Sequence, residues 1–192
     1  IRDIVHANQL LAEQLGIHTI SILIGGSLGG MQVLEWAAQR TIAIQQLIVI
    51  GTSALASPWG IAFNESQRLA LEADPTFRAC TPQGGKNGLK AARSMALLSY
   101  RNYNTYAKTQ AEQEANKCDH YRAASYQQYQ GEKLVKRFNA YSYWYLSKAM
   151  DSQDLGRHRG GLEQALQQIT IPTLVVGIPT DLLFPPHEQE AI

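Results

Sequence analysis

His18-Thr-Ile-Ser-Ile-Leu-Ile24 runs without a break into Gly25-Gly26-Ser27-Leu28-Gly29-Gly30, and then into Met31-Gln-Val-Leu-Glu-Trp-Ala-Ala-Gln39. The first run is β-branched and almost continuously apolar, which suits a parallel strand buried on both faces. The last run has helical composition and spacing. A second apolar strand follows at Gln46-Leu-Ile-Val-Ile50. Strand, helix, strand in this order predicts a βαβ unit and therefore a parallel sheet.

The surroundings extend that frame. Upstream, Ile4, Val5, Leu11, Ala12 and Leu15 fall at helical spacing and Gly16 marks a stop. Downstream of Ala54 the strand-like runs vanish and Gln, Ala, Lys, Arg and Tyr dominate. Helices are expected at 63–73, 88–101 and 132–150, with a polar surface stretch at 108–119. Ile171-Pro-Thr-Leu-Val-Val-Gly177 then returns to the buried-strand pattern, its proline near the strand start where one is tolerated. The expected organisation is a core piece at 1–55, a helical insertion at 56–168 and a second core piece at 169–192.

Composition narrows the function classes. The 192 residues are 45% hydrophobic and 17% charged, with a net charge of +1. That balance excludes disorder and gives no electrostatic footprint for nucleic acid or an acidic membrane surface. No apolar stretch approaches the roughly 20 residues needed to span a bilayer. Cys80 and Cys118 are far apart and lack metal-ligand spacing, which fits a reducing, cytoplasmic setting and no metal site.

The chemistry is concentrated in the turn. Gly25-Gly26-Ser27-Leu28-Gly29 fits G-x-S-x-G on a strand-to-helix reversal, the context that makes the pattern meaningful. The sharp turn lifts the serine hydroxyl clear of the sheet, and glycines are expected where a Cβ would collide with neighbouring backbone. Ser27 is read as a nucleophile and the Leu28 N–H, at the helix start, as an oxyanion donor. A serine needs a base held by an acid, in the chain order Ser, Asp or Glu, His. Asp181 lies just past the late strand and is the expected acid. His187, six residues on, reads as a surface histidine. His6, His18, His120 and His158 precede Asp181. The chain also opens on Ile1 within one helical pattern and stops at Ile192 within another. The reading is therefore a piece of a longer polypeptide, inactive alone. Its catalytic histidine is expected beyond Ile192 and its second oxyanion donor before Ile1.

Gly25–Gln32 with Leu34-Glu35-Trp36 resembles the nucleophile elbow of homoserine O-acetyltransferases, acyltransferases of methionine biosynthesis built on the α/β-hydrolase fold. The resemblance continues through Trp59–Arg68, Asp74-Pro75, Gly88–Arg93, Leu98–Arg101, Tyr129–Tyr143, Asp151–Arg157 and Asp181–Pro186. It implies an α/β-hydrolase core with an inserted helical lid, an acyl-Ser27 intermediate and Asp181 as triad acid. It also implies that Arg93 grips the homoserine carboxylate with Tyr100 beside it; the two are seven apart, on one helix face. Acetyl-CoA would be a co-substrate, with no metal or prosthetic group. Exposed lid helices, and the resemblance, suggest a homodimer. Arg68 and Arg101 are read as structural salt-bridge partners, and Arg157-His158-Arg159 as a solvated loop. A succinyl donor, a serine acceptor, a plain esterase and a non-catalytic module on the same fold remain alternatives.

Overall fold

The elbow sequence folds into β1 (Thr19–Gly26) and α2 (Leu28–Gln39), preceded by α1 (Arg2–Gln14) and followed by β2 (Ala43–Ile50). The computed structural model describes residues 1–192. Beyond β2 come α3 (Pro58–Glu72), α4 (Lys86–Ser99), α5 (Tyr103–Thr109), α6 (Arg122–Val135) and α7 (Ala140–Asp151). The chain closes with α8 (Leu162–Gln167), β3 (Thr173–Val176) and α9 (Pro186–Glu190). It divides into two compact units. One comprises Ile1–Ser57, Ala149–Thr180 and Phe184–Ile192; the other comprises Pro58–Lys148 and Asp181–Leu183. Helix α8, which composition alone assigns to the insertion, thus packs in the sheet unit.

In the sheet unit the three strands are parallel in the order β1-β2-β3, with Ile24 opposite Ile48 and Ile48 opposite Leu174. One face is closed. Leu47 and Val49 pack against Val33, Leu34 and Ala37 of α2 and against Leu155 and Ala165. Burying each such leucine stabilises the fold by about 1.5–3 kcal/mol. Within residues 1–192 the expectation of strands buried on both faces is met on one face only. Ile22, Ile24 and Leu174 are 52%, 60% and 57% exposed, because no helix of residues 1–192 covers their face.

Helix α2 is locked from behind by an ion pair. The buried Glu35 carboxylate accepts two hydrogen bonds from Arg159, at 2.9 and 2.5 Å, and one from Gln39 at 2.8 Å. Burial pushes the Glu35 carboxyl up, but the Arg159 and Gln39 hydrogen bonds and the Arg159 and Arg2 charges outweigh it and hold it below its ordinary value. Arg159 therefore serves the core, not a solvated loop. The fork geometry explains why an arginine suits this position.

The helical unit packs α3, α4 and α6 together around Leu71, Leu89, Ala92, Leu134 and Ala140. The helix expected over 132–150 is two helices. Asn139 interrupts it, its Oδ1 accepting from the backbone N–H groups of Tyr141 (2.9 Å) and Ser142 (3.2 Å) at the start of α7. This is the cap that asparagine provides well. Helix α5, within 103–109, has no counterpart among the expected helices; Asn102 caps it in the same way, accepting from the Thr105 N–H at 3.1 Å.

The start of α4 is held by Asp74, which is buried at the end of α3. Its Oδ2 accepts from the N–H groups of Asn87 (2.9 Å) and Gly88 (3.0 Å), and its Oδ1 from the N–H and hydroxyl of Thr76 (2.9 and 2.7 Å). These hydrogen bonds, the Gly88 N–H foremost, hold the carboxyl below its ordinary value against the opposing effect of burial. Asp74→Ala leaves buried N–H groups without acceptors and should cost about 2–4 kcal/mol, read as a lowered urea midpoint. Because the folded carboxyl is the stronger acid, its stabilising effect is full above the unfolded pKa of about 3.9 and is lost as pH falls through the lower folded value. The wild-type protein should therefore lose stability on acidification below about pH 4 more steeply than the Asp74→Ala variant. Identical acid limbs would show that Asp74 is not the group involved.

Candidate active site

Ser27 stands between β1 and α2 with φ 52° and ψ −123°, a conformation that an L-residue adopts only where its surroundings impose it. Three backbone contacts impose it here. The Ser27 N–H donates to the Ile50 carbonyl at 2.9 Å, while the Ser27 carbonyl accepts from the Thr52 hydroxyl at 2.7 Å and from the Met31 N–H at 3.1 Å. The Ser27 side chain makes no capping hydrogen bond to α2, so its hydroxyl is not committed to the helix. Leu28 begins α2, where the first N–H groups have no acceptor within the helix and the helix dipole favours negative charge.

The tight reversal explains the glycines, with one refinement of the motif. A Cβ on Gly25 would lie 2.3 Å from the Gly29 carbonyl oxygen, and one on Gly30 would lie 2.6 Å from the Thr52 side chain. A Cβ on Gly29 would meet nothing within 4 Å. The second motif glycine is thus approached by its neighbour and needs no room of its own. Gly25→Ala should unfold the elbow and destabilise the protein by several kcal/mol, on the order of 3. Gly29→Ala should change the melting temperature by less than about 3 °C. Equal effects from the two substitutions would contradict this geometry.

The remaining expected residues lie in the helical unit, and the structure brings them together. The Arg93 guanidinium, on α4, stands 5.4 Å from the centroid of the Tyr100 ring. Arg93 is half-buried and makes no ion pair, unlike a solvated helical arginine. Burial raises the Tyr100 pKa; Arg93 opposes that rise and the Asp181 charge adds to it. Asp181 is oriented by its own loop, its Oδ1 accepting from the Leu183 N–H at 2.8 Å. That loop is tied to α3, where the Trp59 indole N–H donates to the Leu182 carbonyl at 2.6 Å.

Tyr143, on α7, joins them although its sequence context assigns it no role at the site. Its hydroxyl donates to Gln67 Oε1. Burial raises its pKa, with Tyr100 adding to the rise and Arg93 opposing it. Arg93, Tyr100, Tyr143 and Asp181 therefore form one electrostatic cluster. Two other expectations are sorted by the contacts. Arg68 is buried and pairs with Glu65 at 2.5 Å, as a structural arginine. Arg101 is in no ion pair and donates instead to the Tyr126 hydroxyl at 3.0 Å. All five histidines are exposed; His120 faces only its neighbour Asp119, at 3.6 Å.

The family profile described as alpha/beta hydrolase fold matches residues 1–192. The chain belongs to the α/β-hydrolase fold family. Among α/β-hydrolases it is similar to the homoserine O-acetyltransferase of Cyclobacterium marinum, 47% identical over 191 residues, which covers all of this chain and 54% of that protein. The homoserine O-acetyltransferase of Trichormus variabilis is 41% identical over 195 residues, again with 54% of its length covered. The chain thus spans about half the length of the curated relatives it matches. Among solved structures, homoserine O-acetyltransferase from Staphylococcus aureus superposes with a TM-score of 0.80 at 32% identity, covering 99% of this chain and 53% of that one. Esterase E22 superposes with a TM-score of 0.87 at 24% identity, covering 99% of this chain and 55% of that one, a likeness of fold alone. The α/β-hydrolase assignment fits the parallel sheet and the strained serine turn.

Proposed function

We propose that the protein carrying this chain is a homoserine O-acetyltransferase working through an acetyl-Ser27 intermediate. The observation that carries the reading is Arg93. An esterase on this fold shares the elbow but has no general need for a half-buried guanidinium without an ion-pair partner, stacked on a tyrosine and grouped with Asp181. A substrate carboxylate, gripped by two parallel N–H···O bonds, is the natural partner for that fork. The identity to homoserine O-acetyltransferases along the whole chain supports the same acceptor.

The reaction proceeds in two steps. Ser27 Oγ attacks the thioester carbonyl carbon, its proton passing to a histidine outside residues 1–192 that Asp181 orients. The tetrahedral oxyanion is held by the Leu28 N–H and a second donor. The C–S bond breaks, CoA leaves as the thiol with that proton, and the acetyl group remains on Ser27. The homoserine hydroxyl, placed by Arg93, then attacks the ester. Its proton passes to the histidine and on to Ser27 Oγ as the product O-acetylhomoserine departs. Tyr100 borders the acceptor carboxylate. None of these steps calls on a metal or a prosthetic group. We assign the protein to the cytoplasm as a homodimer through the helices of residues 58–148; no helix is long and apolar enough to cross a membrane.

The deciding experiment is free-thiol release from acetyl-CoA by the intact protein, with and without homoserine. Release that requires homoserine is expected. Release indifferent to homoserine would identify a hydrolase, and release only from succinyl-CoA would replace the donor.

A further inference from the structure

Where α4 ends, the chain turns through Arg101 and Asn102 into α5, and α6 packs back across the turn. Tyr100, Arg101, Asn102, Thr105, Tyr106 and Tyr126 line most of a cavity of about 440 Å³ there. That volume falls within the roughly 300–1,000 Å³ of small-molecule sites. Its chemistry is selective. The tyrosine rings of Tyr106 and Tyr126 meet edge to face at 5.8 Å, giving flat apolar surface on which a planar base can stack. Hydroxyls and amides supply hydrogen-bonding groups around them, and no carboxylate lines the space.

The one cation, Arg101, is aimed by its hydrogen bond to the Tyr126 hydroxyl and is not quenched by an acid, which leaves most of its guanidinium fork free to donate to an anion. Rings for a base, a guanidinium for a phosphate and no competing negative charge together describe a site for a phosphorylated nucleoside. Tyr100 is shared between this cavity and the Arg93 cluster. A ligand with its nucleotide here can therefore send a long arm towards the acceptor site.

We propose that this cavity holds the phosphorylated adenosine end of the acyl-CoA donor, with Arg101 as the phosphate ligand. The inference rests on the acyltransferase reading above. It makes Arg101 a donor-specificity residue, distinct from Arg93, which serves the acceptor.

The test compares acetyl-CoA with S-acetylpantetheine, which carries the same thioester but no nucleotide. In the intact protein, Arg101→Gln should raise the KM for acetyl-CoA by about 10-fold or more. It should leave the KM for S-acetylpantetheine and for homoserine unchanged. Tyr126→Phe, which keeps the ring and removes the hydroxyl that aims Arg101, should raise the acetyl-CoA KM by about 3-fold. It serves as the second variant should Arg101→Gln fail to fold. Adenosine 3′,5′-bisphosphate, followed by titration calorimetry, should bind the unmodified protein and bind Arg101→Gln about 10-fold more weakly.

Equal changes for both donors, or no change for either, would overturn the assignment, as would absence of bisphosphate binding to the unmodified protein. Binding weakened by Arg101→Gln together with donor kinetics that do not change would mark a site for a free nucleotide, and would equally overturn it. An unmodified protein that turns over no acetyl-CoA would instead refute the acyltransferase reading itself.

Discussion

Ser27→Ala in the intact protein should lower kcat for acetyl transfer by about four to six orders of magnitude while leaving the fold in place. The size follows from the role proposed for Ser27. Without Oγ there is no atom to carry the acetyl group, and the positioned acid, base and oxyanion donors have nothing to activate. The intact fold follows from the contacts, since the bonds that shape the turn all involve backbone atoms of residue 27. The Ile50 carbonyl, the Thr52 hydroxyl and the Met31 N–H keep their partners when the side chain is shortened. The measurement is a stopped assay of O-acetylhomoserine, paired with mass spectrometry of the protein after acetyl-CoA alone. The parent should gain one acetyl group on the elbow peptide and the variant none. A variant that still transfers acetyl at a comparable rate would remove the elbow from the chemistry.

Arg93→Ala should raise the KM for homoserine by about 100-fold, because a bidentate, charge-assisted pair is lost from a partly water-excluded site. Acetylation of Ser27 by acetyl-CoA in the absence of acceptor should continue at the parent rate. That split separates a clamp for the second substrate from a merely structural arginine, whose loss would depress both half-reactions. Arg93→Lys should recover only part of the affinity, since an ammonium supplies a point charge without the planar fork. Unchanged homoserine kinetics in Arg93→Ala would sink the clamp and, with it, the argument that separates this site from an esterase. Arg93 also bears on Tyr100 and Tyr143, the hydroxyls that burial pushes up and its charge pulls down. The alanine variant should therefore raise the pKa values of those tyrosines further, visible as a shift of the tyrosinate absorbance to higher pH.

The parts of the site that were legible in the sequence are those whose geometry is local. Gly25, Ser27 and Gly29 lie within five residues, and the clash that makes glycine necessary at position 25 arises with the Gly29 carbonyl. The apolar runs at 18–24, 46–50 and 171–177 announce strands because hydrophobic pattern and β-branching act over a few residues. Helix ends were less legible. A single helix over 132–150 is plausible by composition, yet Asn139 caps a new one because the chain turns there to pack Ala140, Phe138 and Tyr143 onto Leu71 and Leu89.

Partners distant in sequence were not legible at all. Nothing in the spacing of Arg159 reveals that it pairs with Glu35, 124 positions away. Nor does Trp59 announce that it holds the loop of Asp181 through the Leu182 carbonyl. The exposed sheet face makes the same point from the other side. Ile22, Ile24 and Leu174 have the composition of buried strand residues, but whether a strand face is covered depends on which other elements are present to cover it.

By itself, then, the sequence determined the strand–turn–helix with Ser27 at its centre and the helical character of the insertion. Each follows from interactions among near neighbours along the chain, where sterics and short-range periodicity leave few alternatives. Only the tertiary structure decided that Arg93, Tyr100, Tyr143 and Asp181 share one electrostatic environment, that Arg159 is a core ion-pair partner, and that Arg101 faces a cavity of tyrosines. Charge and burial act through space, and the spatial neighbours of a side chain are set by how helices dock, which no single stretch of sequence encodes.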